Sequence, residues 1–253
     1  LKYSGSPQDF GYAHGDTFKK EIHELYAIRS TLLRNYKANL SDSEILKIVN
    51  PGIETLKKHR DLYVEFQAIS KASELEEWKL FVLNNYTDLR DFFGTDNEDE
   101  GCTVFAVKNK AGMFSGQTWD MHGSATPYIL SMDFNGQKIL TVTGCLGLAG
   151  VNSSSLAIYI NNVHGLERNS KGLMWPGLVR LMLDDSSSGE AAETLKKSLP
   201  SSAHNYLIVD NSTAINIEAT SDRWVVTGRI DGVEGFLFHT NHFVDTNLMK
   251  IEN

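Results

Sequence analysis

Only two cysteines, Cys102 and Cys145, occur in the 253 residues. A disulfide scaffold is excluded, and with no CxxC and no Cys/His cluster there is no pattern for structural zinc. Positive charge is also scarce. There are 24 Lys and Arg against 32 Asp and Glu, a net charge of -8 with histidines neutral. Such a chain offers no general phosphate-binding surface, so nucleic acid is not an expected partner. The deficit is spread out: residues 1 to 101 carry 13 basic and 18 acidic side chains, residues 102 to 253 carry 11 and 14, and neither half is a basic arm. No apolar run approaches the roughly 20 residues needed to cross a bilayer, so no membrane span is expected. The first 20 residues also lack the apolar stretch of a secretory signal. The chain reads as soluble. It opens on Leu1 rather than Met, which leaves both a cytoplasmic location and export after removal of an unseen signal open. What is present is ordinary globular composition, 41% apolar and 22% charged, in a length suited to one large domain or two small ones.

The first half carries helical periodicity. Ile22, Leu25, Tyr26, Leu32, Leu33 and Tyr36 follow the 3-and-4 spacing of one helix face, which predicts an amphipathic helix from Phe18, after the Gly11-Tyr12-Ala13-His14-Gly15 stretch. Three further starts are expected: a capping box at Ser41 and Glu44, an N-cap at Asn50 before Pro51, and a second box at Ser73 and Glu76. The last of these helices runs through Leu75, Trp78, Val82, Leu89 and Phe92 to Gly94, where the carboxylate-rich Thr95 to Glu100 reads as an exposed loop. After Gly101 the period changes to that of strands. Thr103 to Lys108 and Met113 to Trp119 predict one hairpin, and Asn135-Gly136 between Tyr128 to Phe134 and Lys138 to Thr143 predicts another with a type I′ turn. Strands are also expected over Leu156 to Ile160, Tyr206 to Val209, Ala214 to Ala219, Trp224 to Thr227 and Phe236 to Thr240, with helices opening at Trp175-Pro176 and over Gly189 to Leu199. The class is α+β with antiparallel sheet.

A strand cysteine such as Cys102 reads on composition alone as a small buried hydrophobe. Its place weighs the other way, because a glycine precedes it and an exposed loop leads into it, which leaves the Gly101-Cys102 bond accessible. Cys145 lies in Gly144-Cys145-Leu146-Gly147-Leu148-Ala149-Gly150, which has neither Walker nor dinucleotide-binding spacing; its glycines suit close backbone packing.

Five motifs in order, Gly5-Ser6-Pro7 through Gly11-Tyr12-Ala13-His14-Gly15, Leu83-Asn84-Asn85-Tyr86-Thr87, Glu100-Gly101-Cys102-Thr103, Gly116-Gln117-Thr118-Trp119-Asp120 and His239-Thr240-Asn241-His242, resemble the isopenicillin-N acyltransferase family of N-terminal-nucleophile hydrolases. The resemblance covers almost the whole chain and implies a four-layer αββα fold. It implies a precursor that cuts itself before Cys102 into a helical fragment, residues 1 to 101, and a β-rich fragment, residues 102 to 253. The two would stay associated as one domain. Cys102 would then be nucleophile and, through its free amine of reference pKa about 7.7 to 8.0, its own base. The family's strand-end aspartate falls on Asp120 and its oxyanion asparagine on Asn241, whose NH2 donates to a tetrahedral oxyanion. Asn161 and Asn162 fall where relatives place a second substrate-facing asparagine. His14 and Glu218 match family positions and read as structural partners. The implied substrate is a small-molecule amide or acyl donor, with no cofactor.

Two departures stand out. Gln117 occupies a position where bile-salt and penicillin V hydrolases carry arginine, which favours the acyltransferase branch. The family's chains also continue well past the region matching Asn253, so truncation at the C-terminus is expected. The expected reaction is cleavage or exchange of a linear amide through a thioester on Cys102, with hydrolysis favoured over transfer. Alternatives are a metal-dependent hydrolase using His239 and His242 with His14 and Asp120, or a non-enzymatic binding domain with a buried Cys102.

Overall fold

A computed structural model describes residues 1–37, 39–93, 101–163 and 168–249. The expected loop from Thr95 to Glu100 lies outside the described residues, as does the expected helix end at Gly94. In chain order the elements are β1 (Lys2–Tyr3), α1 (Pro7–Thr17), α2 (Lys19–Tyr36), α3 (Asp42–Leu56), α4 (Arg60–Ser73), α5 (Glu77–Asn84) and α6 (Tyr86–Phe93). After them come β2 (Cys102–Asn109), β3 (Gly112–Trp119), a 3-10 turn (Gly123–Tyr128), β4 (Ile129–Phe134), β5 (Gln137–Val142), β6 (Ala149–Val151) and β7 (Ala157–Asn162). The chain continues with α7 (Trp175–Met182), α8 (Ser188–Lys197), β8 (His204–Val209), β9 (Ala214–Ala219), β10 (Trp224–Ile230), β11 (Gly235–His239) and α9 (Thr246–Met249).

Helix α2 lies where the periodicity puts it and buries Ile22, Leu25 and Leu33. The Ser41 and Glu44 capping box starts α3 with both of its arms formed. Three local signals are overridden. The Gly11 to Gly15 stretch, expected to precede a helix, is itself helix α1, capped by Ser6, whose hydroxyl accepts the Asp9 N–H. A glycine inside a helix costs about 1 kcal/mol, but these two face α4 at close range. A Cβ on Gly11 would stand 2.3 Å from the Glu65 carbonyl oxygen, and one on Gly15 2.5 Å from that of Ile69. Pro51 does not open a helix; it sits inside α3, whose buried face of Ile45, Val49, Ile53 and Leu56 continues across it. The next helix starts at Arg60. Ser73 is no cap either. It ends α4, its hydroxyl donating back to the Ile69 carbonyl, and Glu74 in the left-handed region (φ 58°) stops the helix.

Two sheets follow. The larger runs in the order β1-β4-β5-β6-β7-β8-β9-β10, with β1 parallel to β4 and the other pairs antiparallel; the smaller is β11-β2-β3. Both expected hairpins form. Thr103 pairs with Thr118 and Lys108 with Met113. Asn135 (φ 49°) and Gly136 (φ 87°) make the turn between β4 and β5 with both central residues at positive φ, as a type I′ turn requires.

Strands β8 and β9 are buried at every position, because the larger sheet is covered on both faces. Leu207, Val209 and Ala214 pack on Val104 and Ala106 of the small sheet. Tyr206, Ile208, Ile215 and Ile217 point the other way, into a core shared with α1 to α8, among them Phe10, Leu25, Phe81, Leu178 and Leu195. The helices before and after the first strands thus lie on one side of the larger sheet. Among the described residues the layers are helix, large sheet and small sheet, three rather than the expected four. The outer face of the small sheet leaves Phe105, Phe114, Phe236 and Phe238 exposed. No described helix is long and apolar enough to cross a membrane.

The Gly144 to Gly147 loop is clamped from the helical layer. His14 Nε2 accepts the Gly144 N–H at 2.9 Å, Asn84 accepts the Leu146 N–H at 2.8 Å and donates to the Gly144 carbonyl at 2.8 Å, and Arg180 donates to the Leu146 carbonyl at 3.1 Å. Burial, helped by the charge of Arg180, takes His14 from its usual 6.5 down to about 3. Below pH 6.5 the unfolded chain binds a proton there that the folded chain refuses until about pH 3. The stability this residue contributes is therefore whole above pH 6.5 and is lost as pH falls through the interval from 6.5 to 3. His204, also held at about 3, acts in the same sense, and Asp88, raised to about 8, in the opposite one. His14→Gln keeps an acceptor for Gly144 and removes the titration. Its unfolding free energy, measured in urea between about pH 6 and 4, is expected to depend on pH less steeply than wild type by about 1.4 kcal/mol per pH unit. Equal slopes would show that His14 is charged in the fold.

Candidate active site

Cys102 opens β2 and lines a cleft that is partly open to solvent. Its walls come from α2 (Leu25, Arg29), α6 (Tyr86, Thr87, Arg90), the end of β3 and the turn after it (Trp119, Asp120, Ala125), the end of β7 (Ile160, Asn162), Trp175, His204 and Asn241. Residues far apart in sequence meet here because β2, β7 and β8 place corresponding ends side by side. Cys102 is 8% exposed, so its thiol is nearly enclosed.

The peptide bond ahead of Cys102 is held at both ends. The Asp120 backbone N–H donates to the Gly101 carbonyl at 2.9 Å, continuing the β2-β3 ladder. The Cys102 N–H donates to Asn241 Oδ1 at 2.5 Å, and Asn241 Nδ2 donates to the Asn162 carbonyl at 2.8 Å. The three expected residues Cys102, Asp120 and Asn241 thus share one cleft, with the Asp120 carboxylate exposed at its rim. Gly101 is another matter. It avoids the left-handed region, and a Cβ there would meet only Asn241 Oδ1, at an ordinary 3.6 Å, so this conformation does not require glycine.

Asn161 and Asn162 part company. Successive strand residues point to opposite faces, and only Asn162 lines the cleft. Asn161 is fully buried between the sheets; its Nδ2 donates to the His239 carbonyl at 3.4 Å, and its Oδ1 accepts from Asn205 at 3.0 Å, in a ladder that continues through Asn216 to Thr227. Of the two, Asn162 is the one whose side chain is placed to meet a molecule in the cleft. Gln117, on β3, spends its amide on the backbone of Ile160, donating at 2.7 Å and accepting at 3.2 Å, which ties the small sheet to β7.

The residues of the metal reading do not converge. His239 is buried with its ring nitrogens 2.6 Å from Glu218 Oε1 and 2.7 Å from the Thr240 carbonyl. His242 is turned outward beside the Thr240 hydroxyl, and His14 lies under Gly144. Among the described residues no three His, Cys, Asp or Glu side chains gather into a ligand set.

Periodicity and motif spacing miss the far wall of the cleft. Arg29 is buried on the apolar stripe of α2, where a cation among Ile22, Leu25 and Leu33 was the available signal; it donates to the Leu83 carbonyl and lies over the Tyr86 ring. Behind His204, Asp88 is reached by contacts that no local pattern shows: Ser201, 113 residues further along the chain, donates to Asp88, and His204 Nε2 lies 3.5 Å from the same carboxyl group. Burial pushes Asp88 up to about 8 and His204 down to about 3, so desolvation disfavours the charged form of both partners despite their ion-pair geometry.

Residues 107–253 match the model of the acyl-coenzyme A:6-aminopenicillanic acid acyl-transferase family. The chain belongs to this family. The matched span covers more than half of the chain and includes Asp120, Asn162 and Asn241; it begins five residues after Cys102. A similar protein is the acyl-coenzyme A:6-aminopenicillanic-acid-acyltransferase 40 kDa form of Emericella nidulans, 25% identical over 246 residues, which are 94% of this chain and 67% of that one. Penicillin V acylase from Agrobacterium tumefaciens aligns with a TM-score of 0.31 and 12% identity over 52% of this chain; the chain spans 43% of the length of that acylase.

Proposed function

We propose that the chain is a self-processing amide hydrolase or acyltransferase of the N-terminal-nucleophile type, in which Cys102 forms a thioester with the acyl group. The observation that carries the reading is the grip on the Gly101-Cys102 peptide, its carbonyl on the Asp120 N–H and its N–H on Asn241 Oδ1, beside a cleft that Cys102 lines. Family membership supports it. Attack of the Cys102 sulfur on the Gly101 carbonyl carbon places charge on the oxygen that the Asp120 N–H already faces. Collapse breaks the C–N bond, the nitrogen takes up the thiol proton, and water opens the resulting thioester to a Gly101 carboxylate and a free amino-terminal thiol.

In the cleaved protein the amine of Cys102 accepts the thiol proton, and the thiolate attacks the carbonyl of a small-molecule amide. Asn241 Oδ1 orients the amine, and its Nδ2 keeps a second N–H for the oxyanion. The leaving amine takes its proton from the Cys102 ammonium. Water then completes hydrolysis, or an amine completes transfer; hydrolysis is the simpler outcome because it needs no acceptor site. No cofactor enters. The test is acid-quenched single turnover on phenylacetyl-p-nitroanilide, read by mass spectrometry. An acyl increment on the fragment starting at Cys102, abolished by prior alkylation of its thiol, is expected; turnover that survives alkylation overturns the reading.

Asn241→Ala, assayed on cleaved protein, is expected to lower kcat by about 10² to 10³ with little change in KM. Wild-type kcat would remove this residue from the mechanism.

A further inference from the structure

We infer that Glu218 is a positioning residue that sets Asn241 against Cys102, an inference that rests on the catalytic reading above. Glu218 sits near the end of β9, in the larger sheet, and is fully enclosed. A carboxylate this deep is costly unless donors meet it, and three do. Its Oε1 accepts from His239 Nε2 at 2.6 Å and from the Val244 N–H at 2.6 Å, and its Oε2 accepts from the Asp245 N–H at 3.1 Å. These donors bracket Asn241. His239 is the last residue of β11, paired with Val104 two residues beyond Cys102, and residues 240–245 then run outside any helix or strand to α9.

The amides of Val244 and Asp245 therefore find in one carboxylate what a ladder would otherwise supply. The segment between has its start and its end tied to the same side chain. Asn241 in turn spans the two sheets, its Oδ1 on Cys102 of the small sheet and its Nδ2 on the Asn162 carbonyl of the large one. Glu218 thus references the backbone of residue 241 to the strand layer that carries Asn162, and does so without lining the cleft. A displacement of about 1 Å in such a group costs on the order of 10²-fold in rate.

The test is a double-mutant cycle on cleaved protein, with kcat and KM measured on phenylacetyl-p-nitroanilide. Glu218→Ala should lower kcat by ten-fold or more with KM within two-fold. Glu218→Gln should be intermediate, since one of its two terminal atoms still accepts. In an Asn241→Ala background Glu218→Ala should cost nothing further, because the group it positions is gone. Glu65→Gln, which loosens a buried ion pair elsewhere, is the stability control and should leave kcat unchanged. If Glu218→Ala does not fold, the cycle is run with Glu218→Gln. Wild-type kcat in the Glu218 variants, or losses that add to that of Asn241→Ala, would overturn the positioning role. A wild-type kcat in Asn241→Ala alone would instead overturn the oxyanion assignment.

Discussion

Cys102→Ala is expected to remain one chain under denaturing conditions, while wild type resolves into residues 1 to 101 and residues 102 onward. The reason lies in bookkeeping of one proton and one bond. In the uncut chain the Cys102 nitrogen is an amide, its N–H committed to Asn241 Oδ1, and has no lone pair to act as base. Only scission of Gly101-Cys102 releases an amine. Without a sulfur at position 102 nothing stands beside the Gly101 carbonyl to attack it, although the Asp120 N–H still holds its oxygen. Amide cleavage should fall to background in the same variant, because nucleophile and base are lost together. Intact mass on wild type and variant settles the matter. Scission persisting in Cys102→Ala, or amide turnover by a wholly uncut wild type, would sink the N-terminal-nucleophile reading.

The second large effect concerns stability. Arg180 on α7 meets Glu65 on α4 with two parallel bonds, 2.7 Å to Oε1 and 2.9 Å to Oε2, with both side chains buried. Burial pushes the Glu65 carboxyl up against the opposing pull of Arg180, so removal of the guanidinium leaves an acid with nothing to offset its desolvation. It also leaves the Leu146 carbonyl without that donor. Arg180→Ala is expected to cost about 3 to 5 kcal/mol. Replacing both partners by apolar residues, Glu65→Leu with Arg180→Met, should recover most of this, because the pair's own contribution over a packed apolar contact is small. Urea unfolding in the uncut Cys102→Ala background, where one chain makes the transition simple, measures both. A cost below about 1 kcal/mol for Arg180→Ala would mean that water reaches Glu65.

Elements whose signals act within a few residues were legible. The Ser41 and Glu44 box closes on itself, and Asn135-Gly136 needs only its own positive φ values. Signals of the same kind failed where a distant surface competed. Pro51 was absorbed because Val49 and Ile53 on either side are both buried, and Gly11 and Gly15 became helical because only a bare backbone fits against Glu65 and Ile69. The same division runs through the cleft. Cys102, Asp120 and Asn241 were reached through motif resemblance, and the fold gathers them around one space. Which of Asn161 and Asn162 faces it depends on strand parity, which the sequence alone left open. Arg29 and His204 are brought there by packing between helices and the larger sheet, with Asp88 buried behind His204.

The large core has a consequence for the kinetics of the molecule. Phe10, Leu25 and Phe81 precede residue 101, Ile158, Tyr206 and Ile217 follow it, and all belong to one apolar cluster. While the backbone is continuous, these halves find each other by a first-order search whose rate ignores concentration. After scission the same encounter is second order, and dilution favours the separated pieces. If the chain is cut at Gly101-Cys102 as proposed, denaturation becomes one-way in dilute solution. The longevity of the cleaved protein is then set by how slowly its core opens rather than by an equilibrium between folded and unfolded forms.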